Sequence, residues 1–342
     1  MRYKLLGRSG LRVSELALGT MTFGEDWGWG ASPAVSQEIF DAYANAGGNF
    51  IDTANRYTNG SSEKIVGDLV AADREHFVLA TKYSLMTRQG DPNAAGNQRK
   101  NMVQALEASL KRLKTDYLDL YWVHAWDFMT PVEEVMRGLD DLVQAGKVLY
   151  VGISDTPAWI VSQANTLADW RGWSRFVGLQ IRYSLADRAA ERDLLPMARA
   201  LDIGVTAWSV LGAGVLTGKY RQKEGEAVRG RAANWDLPER HYILGDEVAK
   251  IAAEIGCSPS QVAINWVRQQ PGVILPLLGA SKPAQIADNL ACLNFTLGAE
   301  HLQRLNEISH IELGFPHDFL ASDEVQRMVY AGTRPQIDNH RA

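Results

Sequence analysis

Eight short apolar runs, each separated from the next by a stretch of helical period, constrain this chain more than any other feature. The runs begin near Leu16 (LALG), Phe50 (FID), Phe77 (FVLAT), Tyr117 (YLDLYWV), Val148 (VLYVGI), Val177 (VGLQI), Gly204 (GVTAW) and Val273 (VILPLL). They are rich in β-branched and aromatic residues, as strands buried on both faces are. The amphipathic stretches between them predict helices near 34–46, 62–72, 98–113, 131–145, 157–169, 190–201, 259–270 and 283–292. Ser258-Pro259 and Thr130-Pro131 read as N-caps followed by proline at the first helical position, and Gly146 and Gly204 read as helix ends. Strand–helix–strand units pair in parallel through right-handed crossovers. Eight of them in 342 residues predict an α/β fold of the closed (β/α)8, or TIM-barrel, type. An open doubly wound sheet is the alternative. Its G-x-G-x-x-G signature does not match the Gly19-Thr20-Met21-Thr22-Phe23-Gly24 that follows the first run.

Residues 1–342 read as one domain with three additions to the barrel. Residues 1–15 carry the turn signal Arg8-Ser9-Gly10 and predict a hairpin. Residues 210–257 predict a long loop and an extra helix, and 299–342 another helix and a polar tail. Loops of that length in a compact domain are usually functional. The net charge of −5 argues against nucleic acid, which needs a basic face. There is no apolar run of the roughly 18 residues that a membrane span needs, and the first residues have no signal-peptide h-region. The two cysteines, Cys257 and Cys292, lack metal-ligand spacing and suit a reducing cytoplasm. A cytoplasmic monomer or homo-oligomer without membrane or nucleic-acid partners is expected.

In such a barrel the active site lies at the C-terminal ends of the strands. Those ends offer Asp52, Lys82, His124, Ser154, Gln180, Trp208 and Ser281, with Tyr57 in the loop after Asp52. Taken singly, an acid caps a loop, a lysine is solvated and a tyrosine packs. Taken together, they suit proton donation to an oxygen that is becoming an alkoxide. A lysine beside a phenol stabilises the phenolate and lowers its pKa. An aspartate offsets the cost of burying that lysine, and a histidine orients the carbonyl oxygen. Hydride must then come from elsewhere, and a nicotinamide cofactor is implied.

The motifs Gly47-x-x-x-x-Asp52-Thr53-Ala54-x-x-Tyr57, Thr81-Lys82, Val123-His124, Gly152-Ile153-Ser154 and Gly279-Ala280-Ser281-Lys282 occur in order along the chain. In them the chain resembles the aldo-keto reductase superfamily, most closely the long-loop branch that includes potassium-channel β subunits and bacterial aryl-alcohol or sugar reductases. The resemblance runs from about residue 3 to 310. It implies Tyr57 as general acid, Asp52 and Lys82 as the pair that tunes it, and His124 as the residue that polarises the carbonyl. It also implies that Ser154, Asp155 (where asparagine is common) and Gln180 hold the nicotinamide amide, and that Trp208 stacks on the ring. Thr20, Met21 and Asp52 join that set.

The glycine-rich segment Trp208-Ser209-Val210-Leu211-Gly212-Ala213-Gly214 continues to Lys219. Its backbone amides and Lys219 suit a dinucleotide pyrophosphate. Residues 279–289 are the place for a 2′-phosphate: Gly279, Ser281, Lys282 and Gln285 face it, while Asp288 and Asn289 read the adenine. Lys282, Arg229 or Arg231 supplies the charge. NADP(H) is favoured, with NAD(H) possible. Ten tryptophans, three of them near predicted mouth loops, suggest a broad apolar cleft lined by Met21, Phe23, Trp27, Tyr83 and Trp126. The expected substrate is a small-molecule carbonyl or alcohol, bulky or aromatic ones included. Residues 210–240 are expected to act as a lid over the cofactor. Two other readings remain: a cofactor-binding regulatory module with little turnover, like the channel subunits, and a barrel hydrolase or lyase without cofactor.

Overall fold

The computed structural model describes residues 1–217 and 238–340. Lys219, Arg229, Arg231 and most of the expected lid therefore lie outside the described residues. An antiparallel hairpin, β1 (Tyr3–Leu5) and β2 (Arg12–Ser14), precedes the main sheet. Eight parallel strands then close into a barrel: β3 (Ala17–Gly19), β4 (Phe50–Asp52), β5 (Val78–Tyr83), β6 (Leu118–Val123), β7 (Val148–Ser154), β8 (Phe176–Arg182), β9 (Gly204–Trp208) and β10 (Ile274–Gly279). They pair in chain order, and β10 closes on β3 with Leu278 beside Leu18. All eight expected strands are found, as is the hairpin.

The two faces of each strand serve two cores. Outward residues meet the surrounding helices in one large cluster that includes Leu18, Ile51, Leu79, Tyr121, Ile153 and Leu179. Inward residues Phe50, Ala80, Leu120, Trp122 and Leu275 fill the barrel with Leu6 and Val13 of the hairpin. The hairpin thus plugs the bottom of the barrel. Gly7, at φ +53°, comes so close that an added Cβ would stand 2.4 Å from the Val177 carbonyl. The Trp122 indole occupies the interior because Gly152 and Gly178 leave room: a Cβ there would approach the ring to 2.4 Å and 2.7 Å.

The helices match the sequence with local differences. Ser258 caps the Pro259–Arg268 helix and proline follows it, as expected. Pro131 instead sits at the cap of the Val132–Gln144 helix. Thr130 is held back by Asp127, which accepts its backbone N–H and its hydroxyl, both at 2.8 Å. Gly146 does end a helix, at φ +71°. Gly204 does not: it opens β9, where a Cβ would lie 2.7 Å from Leu6, and Asp202 takes the left-handed position after Leu194–Ala200. The expected extra helices are Glu239–Ile255 and Ala299–Ile308. The tail is not merely polar. It forms two short helices, His317–Ala321 and Asp323–Val329, and exposes Phe315, Phe319, Met328 and Val329. No helix among the described residues is long and apolar enough to cross a membrane.

Candidate active site

Asp52 ends β4, and Lys82 is the penultimate residue of β5. Both side chains are almost wholly buried, at 1% and 0% exposure. An ammonium has three donors, and Lys82 uses them on three acceptors: the Asp52 carboxylate, the Thr53 carbonyl at 2.9 Å and the Tyr57 hydroxyl at 3.3 Å. The other Asp52 oxygen accepts from Gln180 Nε2 at 3.0 Å. Tyr57 opens a tight turn in which Thr58 and Asn59 take positive φ, 42° and 54°. That turn is pinned by Thr58, whose hydroxyl donates to the Phe23 carbonyl at 2.7 Å and accepts from Ser62 N–H at 2.9 Å. Since Lys82 only donates, the phenolic oxygen accepts from it, and the phenolic proton is left to point away from Lys82.

His124 follows β6. Its backbone N–H bonds to the Tyr83 carbonyl at 2.9 Å, and its ring stands edge-on to Tyr57 with centroids 5.9 Å apart. Burial, and then the Lys82 charge, push its pKa well below the ordinary imidazole value, so the ring is neutral. Its Nδ1 is buried without a partner among the described residues. The expectation that Lys82 lowers the Tyr57 pKa is corrected in its net sign. Burial outweighs Lys82, the Asp52 and Asp155 charges add to it, and the phenol is held above its ordinary value. Tyr57 therefore keeps its proton through the physiological range.

On the other side of the mouth, Ser154 ends β7 and is 1% exposed, while Trp208 ends β9. Asp155 accepts the Trp208 indole N–H at 3.1 Å, and the Arg182 guanidinium lies 5.7 Å from the indole ring. Thr20 is buried. Its hydroxyl is committed to the Asp52 carbonyl at 3.1 Å and to Ser62 at 2.9 Å. The loop after β9 is tightly wound: Ser209, Gly212, Ala213 and Gly214 all have positive φ. The Gly212 and Gly214 N–H groups are spent inside it, on the Ser209 and Leu211 carbonyls at 2.8 Å each, so they do not offer the free amides that the sequence suggested.

At the end of β10 a Cβ on Gly279 would meet nothing within 4 Å, which leaves an open rim beside Ser281 and the exposed Lys282. Gln285 closes on Ser281, accepting its N–H at 2.9 Å. Asp288 already accepts two hydrogen bonds. Its carboxylate takes Ser258 Oγ at 2.9 Å and Gln261 Nε2 at 2.8 Å, tying two helices together, and Asn289 is buried.

The expected pocket lining divides. Phe23 and Tyr83 are fully buried in the outer core and do not line a cleft. Neighbours on a strand point to opposite faces. With Lys82 inward, Tyr83 turns outward, stacks on Tyr121 at 5.2 Å and donates to the Asn97 carbonyl at 3.2 Å. Trp27 packs on its own loop, against Trp29 at 5.6 Å and under Arg56 at 5.8 Å. Met21 and Trp126 are partly buried, and Phe128 and Met129 stand exposed after His124. Sequence reasoning missed Arg56, Arg182 and Asn55. Asn55 is 3% exposed, with both polar side-chain atoms unpartnered among the described residues. Its place between Asp52 and Tyr57 was the available signal.

Comparison with known proteins agrees with this geometry. Residues 15–310 match the family model described as Aldo/keto reductase family. Norsolorinic acid reductase of Aspergillus flavus is 37% identical over 94% of this chain and 84% of its own. An aryl-alcohol dehydrogenase [NADP(+)] of Phanerodontia chrysosporium is 37% identical over 90% of this chain and 86% of its own. A putative aryl-alcohol dehydrogenase of Saccharomyces cerevisiae is 36% identical over 94% and 90%. A barrel whose strand ends join Asp52, Tyr57, Lys82 and His124, matched to that family from the first barrel strand to the helix after the last, belongs to the aldo/keto reductase family.

Proposed function

We propose that this chain is an NADP(H)-dependent oxidoreductase that interconverts aldehydes or ketones and the corresponding alcohols, with aromatic compounds as its preferred class. The observation that carries the reading is Lys82 donating to the Tyr57 oxygen from a fully buried position. That bond leaves the phenolic proton free to be given to a substrate oxygen. The site fits a nicotinamide cofactor: an unpartnered His124 Nδ1 beside Tyr57, a part-exposed indole at Trp208, and open space at Gly279 next to Lys282. When bound, NADPH supplies the hydride.

The protein's own groups do the rest. His124, being neutral, has one ring N–H with which to hold a carbonyl oxygen close to the Tyr57 hydroxyl. Tyr57 gives its proton to that oxygen as negative charge builds on it. Lys82 then stabilises the phenolate at 3.3 Å, and Asp52 keeps Lys82 charged in a site where an unpaired ammonium would be costly. Gln180, with one N–H held by Asp52, would offer its carbonyl oxygen to the carboxamide of the nicotinamide, with Ser154 beside it on β7 and Asp155 bonded to its backbone carbonyl. Ser281 and Lys282 suit the 2′-phosphate, for which Lys282 supplies charge. The aromatic preference rests on Trp126 and Phe128, which follow His124 beyond the end of β6, and on the names of the relatives.

The test is titration with NADPH and NADH followed by turnover with a panel of aromatic and aliphatic carbonyls. NADPH binding and loss of nicotinamide absorbance with aromatic aldehydes are expected. Binding of neither dinucleotide would remove the reading. Cofactor binding without turnover on any carbonyl or alcohol would favour a regulatory module.

A further inference from the structure

We propose that Asp155 sets the redox preference of the bound cofactor: its carboxylate, unpaired beside Trp208, favours the cationic oxidised nicotinamide over the neutral reduced one. The inference rests on the NADP(H) reading above and adds a direction to it.

Asp155 is the first residue beyond β7, and it is fixed from two sides. Its backbone N–H bonds to the Gln180 carbonyl at 3.2 Å, and its Oδ1 accepts the Trp208 indole N–H at 3.1 Å. It thereby ties together the ends of β7, β8 and β9. The other charges of the cleft are accounted for. Lys82 is neutralised by Asp52, His124 is uncharged, and Arg182 pairs with Asp187 at 2.6 Å. Arg56, on the β4 side, lies against Trp27 and Asn59. Asp155 makes no ion pair within 4 Å among the described residues; burial raises its pKa above the ordinary aspartate value, and the Trp208 hydrogen bond and the more distant Lys82 and Arg182 charges act the other way and favour the carboxylate. Its charge is felt at Tyr57, whose pKa it helps to raise. A chain of hydrogen bonds joins the two: Asp155 N–H to the Gln180 carbonyl, Gln180 Nε2 to Asp52, and Asp52 through Lys82 to the Tyr57 hydroxyl, so both stand at one mouth.

The hydride donor must sit at that mouth. Reacting atoms approach to about 3–3.5 Å, so the nicotinamide has to reach the same carbonyl that Tyr57 protonates, with Trp208 and Asp155 as its wall. An oxidised nicotinamide carries a full positive charge on its ring, and the reduced ring carries none. A fixed carboxylate on that wall attracts only the first. The bound couple is then a stronger reductant than the free one. Carbonyl reduction is favoured on the protein, and release of the oxidised cofactor is slowed.

Asp155→Asn isolates the charge. The position is left-handed, φ +43°, which asparagine tolerates as aspartate does, and the amide oxygen still accepts from Trp208. Dissociation constants for NADP+ and NADPH are measured on the full chain of wild type, Asp155→Asn and Trp208→Phe. In Asp155→Asn, the constant for NADP+ rises about tenfold while that for NADPH stays within about twofold, a shift of roughly 30 mV in the bound couple. In Trp208→Phe, both constants rise together and their ratio holds. A ratio unchanged by Asp155→Asn, or equal weakening of both forms, overturns the proposal and leaves the NADP(H) reading intact. A wild-type chain that binds neither dinucleotide overturns that reading and this inference with it.

Discussion

The two arcs of the barrel mouth are built on different terms. The arc formed by β4, β5 and β6 carries Asp52, Lys82 and His124, and its central ion pair is complete in the free protein, with His124 Nδ1 and the Asn55 amide the groups left without partners there among the described residues. Lys82 is 0% exposed and every one of its donors is used. The arc formed by β7 to β10 carries Ser154, Asp155, Trp208 and the Gly279 rim, and it is open. Arg182 is 59% exposed, and Gly279 faces empty space. Chemistry that depends on a fixed proton needs a rigid, dry cluster whose charges are paired. Recognition of a ligand that comes and goes needs groups left unsatisfied until it arrives. Variants of the first arc should therefore damage turnover or folding, and variants of the second should damage affinity with at most a small loss of stability.

Tyr57→Phe tests the first arc most strongly. It removes the donated proton and preserves the ring, so turnover should fall by about 10²–10⁴-fold. NADPH affinity and unfolding midpoint should stay at wild-type values. Turnover above half of wild type would take Tyr57 out of the mechanism. Lys82→Met comes next. It strands the Asp52 carboxylate in a buried site, and the loss in folding free energy should be roughly 3–5 kcal/mol in urea denaturation. A loss below about 1 kcal/mol, the range of exposed ion pairs, would mean the pair is more solvated than its burial implies.

A smaller effect is expected from pH. The His124 pKa is depressed on folding, first by burial and then by Lys82. The unfolded chain therefore takes up a proton near the ordinary value of 6.5 while the folded chain does not. Stability from this group is complete above that value and drains as pH falls below it, by at most about 1.4 kcal/mol per pH unit. Urea midpoints should fall more steeply between about pH 7.5 and 5 in wild type than in His124→Gln. Equal slopes would show that the imidazole is not held neutral. The smallest effect belongs to the open arc. Arg182→Gln removes the cation beside Trp208, worth about 0.5–1 kcal/mol at an exposed site. NADPH binding should weaken by no more than about two- to fivefold, and folding free energy should fall by no more than about 1 kcal/mol, because the Arg182–Asp187 pair is exposed. A loss of stability as large as that of Lys82→Met would erase the distinction between the arcs.

The first arc was also the legible one. Asp52, Lys82 and His124 each end or follow an apolar run, and the strand period alone brings such ends to one mouth. The sign of the Tyr57 shift was not legible, because it depends on how deeply the ring is buried and not on which residues adjoin it. Tyr83 was misplaced although the rule that excludes it, opposite faces for neighbouring strand residues, was at hand once Lys82 pointed inward. The burial of Phe23 and the bonds of Asp288 were hidden for another reason. Their partners, Thr58 on one side and Ser258 with Gln261 on the other, are distant in the chain, and no local pattern announces them. The tail was read as polar because its apolar runs, Phe319-Leu320 and Met328-Val329-Tyr330, are too short and too far apart to register as a helical period.

Trp122 has a consequence for how this family member can vary. Its indole lies against both Gly152 and Gly178, on two successive strands, where even a methyl group would collide with the ring. The three positions therefore form one unit of inheritance. A larger residue at 152 or 178 is admissible only alongside a smaller one at 122, and a smaller residue at 122 alone would hollow the floor beneath His124. Anyone reshaping this barrel for a new substrate inherits the same coupling: the walls can be recut loop by loop, but the floor must be exchanged whole.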